Sequence, residues 1–232
     1  CAWIGVNSKN RNNSKQNLNI LVMQNLLKII KNSKVNCLIS IGSQAEYGAK
    51  KNKILENSKL EPITKYGKTK VKILKFTKLF CKKNKIRFVW LRVFSGYGPV
   101  SDKRWLISST ICHLIKNQKI KFTAAKQVYN FIYIKDIISA INKSLSLKSV
   151  MGEFNLGSSR SYSIQYVIKL IFKKFKIKER PLFGLLNYRK DQAMNFKPSI
   201  SKINKRLKWK PQYSLSKGLD ETIKYFKKEL KK

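Results

Sequence analysis

The feature that most constrains this chain is a pair of short apolar runs, Cys37 to Ile41 and Ile86 to Phe94, each stopping at a glycine-bearing loop. Such runs do not alternate apolar with polar residues, so they suit strands buried on both faces. Between them, Lys65 to Lys83 has helical spacing, with Val71, Leu74, the stem of Lys78 and Cys81 along one side. Ahead of them, residues 19–31 place Ile20, Met23, Leu27 and Ile30 on one helical face. Residues 105–116 read as a helix, 119–122 and 131–134 as short strands, and Asp136 opens a helix to about Leu145. Apolar strands alternating with amphipathic helices predict an α/β fold with a parallel sheet.

The last third changes texture. Glu153 to Leu156 reads as a strand, and Ser163 caps a helix whose inner face is Ile164, Val167, Ile168, Ile171, Phe172 and Phe175. A stretch containing Pro and aromatic residues follows to Pro211, then a final helix from Ser214. The expected division is residues 1–150 and, mostly, 151–232, with the two lobes interleaved.

The 51 basic residues outnumber 11 acidic ones, for a net charge of +40. A polyanion partner is one reading. Compositional drift is the favoured one, because Lys, Asn and Ile, all written by A/T-rich codons, make up more than a third of the chain. Nucleic-acid readers lean on Arg, and here 43 Lys stand beside only 8 Arg, spread along the whole chain. Nucleic acid is therefore not the expected partner. The cysteines, Cys1, Cys37, Cys81 and Cys112, lack metal-ligand spacing, and His113 is the one histidine. No metal is expected, and free thiols suit a reducing cytoplasm. No apolar run approaches the roughly 18–20 residues that span a bilayer, so no membrane insertion is expected. The opening, Cys1-Ala2-Trp3-Ile4, does not read as a signal peptide.

The chemistry gathers around Ser43, Tyr66 and Lys70. Tyr66 and Lys70 stand four apart at the start of a helix and so share a face. A phenol with a pKa near ~10 is a poor acid–base group at neutral pH. A nearby ammonium favours the phenolate, and a Ser hydroxyl from the neighbouring strand end can hold the oxygen whose proton the phenol moves. Alone, Tyr-x-x-x-Lys is a weak pattern in a Lys-rich chain. Its context is more specific.

Six segments occur in order: Ser40-Ile-Gly-Ser43-Gln-Ala-Glu-Tyr47-Gly48, Pro62-Ile-Thr-Lys-Tyr66-Gly-Lys-Thr-Lys70, Leu91-Arg92-Val-Phe-Ser-Gly-Tyr97-Gly98-Pro99, Asn130-Phe-Ile-Tyr-Ile-Lys-Asp136, Phe154-Asn155-Leu-Gly157-Ser158 and Leu207-Lys-Trp209-Lys-Pro211. Together they resemble the extended short-chain dehydrogenase/reductases, in the NAD-dependent epimerase/dehydratase group that acts on nucleotide sugars. The resemblance covers nearly the whole chain. It implies a Rossmann-type parallel sheet with a small C-terminal substrate-binding lobe, NAD or NADP as cofactor, and a nucleotide-sugar substrate. A homodimer fits the same resemblance.

By that resemblance Ser43 matches the catalytic Ser/Thr, Tyr66 the acid–base Tyr, and Lys70 the Lys that holds the nicotinamide ribose and lowers the Tyr pKa. Ala2 matches a small residue lying against the cofactor. Phe94 and Ser95 fall where the family's loop meets nicotinamide and sugar nucleotide, and many members have Asn at the position of Ser95. Tyr129 stands where many members carry an Arg for the diphosphate, and Gln44 lies beside Ser43 at the substrate. The dehydratases carry two acids where this chain has Gln44 and Ala45, which leaves a 4-epimerase or a 4-ketoreductase. Arg160 and Arg189 are further candidates for a bidentate hold on a diphosphate.

The family's phosphate-binding Gly-x-x-Gly-x-x-Gly does not occur in these 232 residues. The resemblance places Cys1-Ala2-Trp3 at the end of a fourth strand, so roughly 60 or more preceding residues are expected to belong to the complete fold. The chain by itself is therefore expected to bind NAD(P) poorly. The rival reading is an inactive fragment that binds polyanions through its charge.

Overall fold

The computed structural model describes residues 3–5, 10–99, 102–189 and 191–230. After a 3-10 turn at Ser14–Asn17 come α1 (Leu18–Lys31), β1 (Cys37–Ser43), a second 3-10 turn at Gln44–Glu46, α2 (Lys65–Lys83) and β2 (Arg87–Val93). Then follow β3 (Gly96–Tyr97), α3 (Leu106–Ile115), β4 (Val128–Tyr129), β5 (Ile132–Tyr133), α4 (Ile134–Ser146) and β6 (Gly152–Leu156). The chain closes with β7 (Tyr162–Ser163), α5 (Ile164–Lys174), β8 (Asn195–Phe196), α6 (Ser201–Leu207) and α7 (Leu215–Glu229).

The main sheet has the order β1-β2-β6 and is parallel throughout, with Cys37 opposite Arg87 and Ser43 opposite Val93. Its central strand explains why the run around Val89 is apolar without alternation. Phe88 and Trp90 pack with Leu27, Ile30, Ile73 and Leu74 of α1 and α2. Val89 and Leu91 pack with Ile137 and Ala140 of α4 and with Ile203 and Leu207 of α6. Successive side chains of a strand point to opposite faces, so both must be apolar when both are covered.

A second apolar cluster joins α3, α5 and α7 around Ile111, Val167, Ile168, Ile171, Leu219 and Phe226. Ser163 and Ser214 cap α5 and α7 through their side chains, as their positions ahead of apolar periodic segments predict. Strand β6 pairs with β2, so residues beyond 150 complete the first lobe's sheet.

Three readings change. The inner face of α2 is Tyr66, Lys70, Ile73, Leu74, Thr77 and Cys81, while Lys78 reaches out to Glu153 at 2.7 Å. The strand expected over 119–122 is a single bridge between Lys121 and Leu182. Helix α6 went unrecognised, because seven residues with two buried apolar positions carry little periodicity. Trp209 packs against the sheet lobe, with its indole N–H donating to Ser139 Oγ at 2.7 Å. Among the described residues no helix is long and apolar enough to cross a membrane. None of their His, Cys, Asp and Glu side chains cluster in a way that could hold a metal. Cys37, Cys81 and Cys112 are free thiols.

Candidate active site

Ser43 ends β1 and caps the following 3-10 turn. Its Oγ accepts from Ala45 N at 3.2 Å, and Glu46 Oε1 accepts from Ser43 N at 2.7 Å. This reciprocal pair fixes the backbone at Ser43. Glu46 is fully buried and also accepts from Trp90 Nε1, at 3.1 Å through Oε2, and from Arg92 Nε at 2.6 Å. The Arg92 fork continues to Tyr47 OH at 3.1 Å and Glu153 Oε2 at 2.5 Å. Tyr47 OH in turn donates to Asn155 Oδ1 at 2.6 Å.

Burial works against the Arg92 charge, and Glu46, Tyr47 and Glu153 more than offset it. Burial pushes Glu46 up, against the pull of Arg92. The packing leaves no room at Gly42, where a Cβ would meet Trp90 Nε1 at 2.1 Å and Glu46 Oε1 at 2.6 Å. Sequence reasoning passed over this network. Its signal was Arg92, a charged residue between Leu91 and Val93 deep in an apolar run.

The start of α2 brings Tyr66 and Lys70 to the same place. Three donors at its N-terminus find partners: Lys65 N on Asn12 Oδ1 at 3.1 Å, Tyr66 N on Arg11 O at 2.8 Å, and Gly67 N on Thr64 Oγ1 at 3.1 Å. Gly67 lets α2 approach the turn after Ser43, since a Cβ there would lie 2.5 Å from Ala45 O. The Ser43 side chain lies near enough to the Tyr66 phenol to pull its pKa down. Lys70 Nζ donates to Ile41 O at 2.8 Å, lies 3.6 Å from the centre of the Trp3 ring, and is 5.9 Å from that of Tyr66. Trp3 also meets Tyr66 edge-on, with ring centres 5.5 Å apart. Ser43, Tyr66 and Lys70 are thus together, in a nearly closed corner where Tyr66 is 8% exposed.

The electrostatics differ from expectation. Burial raises the Tyr66 pKa, while the Ser43 side chain and the Arg11 charge pull it back. Arg11, whose Cζ is 5.4 Å from the ring centre, adds a second cation beside the phenol, which the spacing of Tyr66 and Lys70 did not announce. Lys70 is turned to the Ile41 carbonyl and the Trp3 face, and desolvation lowers its own pKa to about 8.

The remaining candidates divide. Gln44 and Ser95 meet each other, with Ser95 N donating to Gln44 Oε1 at 3.3 Å. Tyr129 OH donates to Ala193 O at 2.6 Å and accepts from Gln192. Phe94 is wholly buried among Tyr47 and Phe196, so here its ring is a core element. Ala2 lies outside the described residues. Arg189 pairs loosely with Asp191 at 3.6 Å, whereas Arg160 is exposed. His113 Nδ1 rests 2.8 Å from Ser109 O on its own helix. Two surface grooves lie elsewhere, one along α1 from Ser14 to Gln24 and one beside Glu56 and Ser201.

Comparison with known proteins places these features in a family. The profile of the NAD dependent epimerase/dehydratase family matches residues 3–157. An uncharacterised UDP-glucose epimerase of Bacillus subtilis is 28% identical over 209 residues, 89% of this chain and 66% of the relative. A UDP-glucuronate 4-epimerase of Thermodesulfobacterium geofontis is 28% identical over 218 residues, 91% of this chain and 66% of the relative. The chain thus spans just under two-thirds of the length of these curated relatives. Among solved structures, the UDP-glucuronic acid 4-epimerase of Bacillus cereus, in complex with UDP-glucuronic acid and NAD, superposes with a TM-score of 0.85. It is 28% identical, and the match covers 91% of this chain and 68% of that one. A matching profile over most of the chain and a Rossmann-type parallel sheet shared with that enzyme agree: the chain belongs to the NAD-dependent epimerase/dehydratase family.

Proposed function

We propose that this chain carries the proton-transfer half of an NAD(P)-dependent 4-epimerase or 4-ketoreductase acting on a nucleotide-activated sugar. The observation that carries the reading is the meeting of Ser43, Tyr66 and Lys70 in one corner, where α2 closes on the turn after Ser43 at Gly67 and Lys70 Nζ stands 5.9 Å from the Tyr66 ring centre. Relatives named for UDP-sugar epimerisation support the substrate class.

Lys70 fits the ribose end of a nicotinamide cofactor. It is a buried ammonium with three donors, of which Ile41 O takes one, and among the described residues no carboxylate lies within 4 Å of it. Neutral hydroxyls are acceptors such a group can hold without a second buried charge. A nicotinamide cofactor held there would supply hydride transfer at the sugar carbon. Tyr66, as phenolate, accepts the proton of the sugar hydroxyl as that carbon becomes a ketone, and as phenol returns it on reduction. Ser43 Oγ holds the reacting oxygen beside the phenol. Glu46, through Ser43 N, keeps that hydroxyl in register.

The test is turnover of a panel of nucleotide sugars with NAD and with NADP, read by NMR of the sugar protons, for the wild-type chain and Tyr66→Phe. Wild-type conversion that falls about 10²–10⁴-fold in the variant supports the reading. Wild-type conversion that persists in Tyr66→Phe removes Tyr66 from the chemistry, and no conversion of any sugar by the wild type at saturating NAD and NADP sinks the reading for this chain.

A further inference from the structure

Arg11 comes from a different part of the sequence than the residues it meets. Its carbonyl holds Tyr66 N, and its guanidinium lies 5.4 Å from the ring centres of both Tyr66 and Trp105. Aromatic faces attract the cation, but they do not accept the in-plane N–H bonds of a guanidinium. Its Nε is buried and has no hydrogen-bond partner. Among the described residues no side-chain carboxylate approaches within 4 Å of Arg11. Asp191 stands nearby, but Asn12 Nδ2 at 3.4 Å and Arg189 Nε at 3.6 Å already engage it. Glu46, on the other side of Ser43, is committed to Arg92.

Burial and the neighbouring Arg189 both press Arg11 toward losing its charge. Arg11 therefore shares its surroundings with a second cation, Arg189, against Asp191. Two like charges, one with an unsatisfied donor, are costly to hold together unless an anion joins them. A planar guanidinium is the side chain best shaped to take a carboxylate through two parallel bonds. Because Arg11 borders the acid–base phenol itself, such an anion belongs at the sugar end of a bound nucleotide sugar rather than at the nucleotide end.

We infer that Arg11 is a subsite for a carboxylate on the sugar, so that the substrate is a nucleotide-linked uronic acid. The inference rests on the nucleotide-sugar reading above and narrows it. The test is calorimetric titration of the full chain, with NAD present, by three probes: UDP-glucuronate, UDP-glucose and UDP. The wild type is expected to bind UDP-glucuronate about tenfold or more tightly than UDP-glucose, as a charge-assisted bidentate pair allows. Arg11→Gln is expected to erase that preference while leaving UDP-glucose and UDP unchanged, and Arg11→Lys to keep part of it. The carbonyl that holds α2 is untouched by either change, and a thermal melt checks that the fold persists. Equal wild-type affinity for the two sugars overturns the inference alone. So does an Arg11→Gln variant that leaves the preference intact, or one that weakens all three probes alike, which would put the diphosphate at Arg11. A wild type that binds none of the three overturns this inference and the nucleotide-sugar reading together.

Discussion

The Glu46–Arg92–Glu153 cluster and the Arg11–Tyr66–Lys70 corner meet at Ser43, yet they handle charge in opposite ways. In the first, every carboxylate faces a guanidinium or ammonium, and the Arg92 fork reaches three acceptors. In the second, two cations are buried or half-buried with a carbonyl and aromatic rings for company. A closed network holds geometry and offers nothing to a ligand. An incomplete one is strained alone and is relieved by whatever supplies the missing acceptors. The contrast separates the part of the site that positions Ser43 from the part left open to chemistry.

The largest effect expected is on catalysis. Tyr66→Phe should remove about 10²–10⁴-fold of any turnover while leaving the melting temperature nearly unchanged, since one hydrogen bond is worth only about 1 kcal/mol. Next is the closed network. Glu46→Gln leaves Arg92 buried beside a neutral amide, and chemical denaturation should show a loss of about 3–5 kcal/mol. A loss under ~1 kcal/mol would show that water enters and repairs the cluster.

The open corner should respond in the other direction. Lys70 has a folded pKa of about 8, below its ordinary 10.5. The unfolded chain therefore holds more protons between those values, and this group's contribution to stability climbs as pH rises through that window. Below pH 8 the folded state carries the full cost of the charge. Lys70→Met should then stabilise the chain by about 2–3 kcal/mol at pH 7, with the gap closing toward pH 10.5. A variant no more stable than wild type at pH 7 would mean that the ammonium finds solvent. The smallest effect belongs to an exposed pair. Lys59, 83% exposed, meets Glu61 at 2.9 Å, and Lys59→Gln should leave the melting curve where it was.

Much of the scaffold was readable in advance. The apolar periodicity of residues 19–31 and 164–172 gives helices α1 and α5 directly, because each face has one partner to bury against. The caps at Ser163 and Ser214 are local chemistry and need no tertiary knowledge. The spacing of Tyr66 and Lys70 fixes their common face, and the strand end at Ser43 supplies the third group. What the sequence hides is long-range. Arg11 lies 55 positions before Tyr66, and nothing local marks it as a second cation beside the phenol. Glu46 and Arg92 read separately as a loop acid and an interruption in a strand, and only the register of β1 with β2 joins them. The ammonium of Lys70 was expected to face the phenol. A covering indole and a strand carbonyl take it instead, and one-dimensional spacing carries no information about either.

The planar fork of Arg92 also bears on how such a chain tolerates a biased genome. Lysine outnumbers arginine 43 to 8 here, so most surface positions evidently accept either cation. At position 92 one residue must donate along three fixed directions, to Glu46, Tyr47 and Glu153, with no water to fill a gap. A lysine's three donors radiate from a single atom and cannot span the three directions that the guanidinium fork reaches. Base composition can rewrite the outside of this molecule freely, and position 92 is where that freedom meets a codon that geometry does not let go.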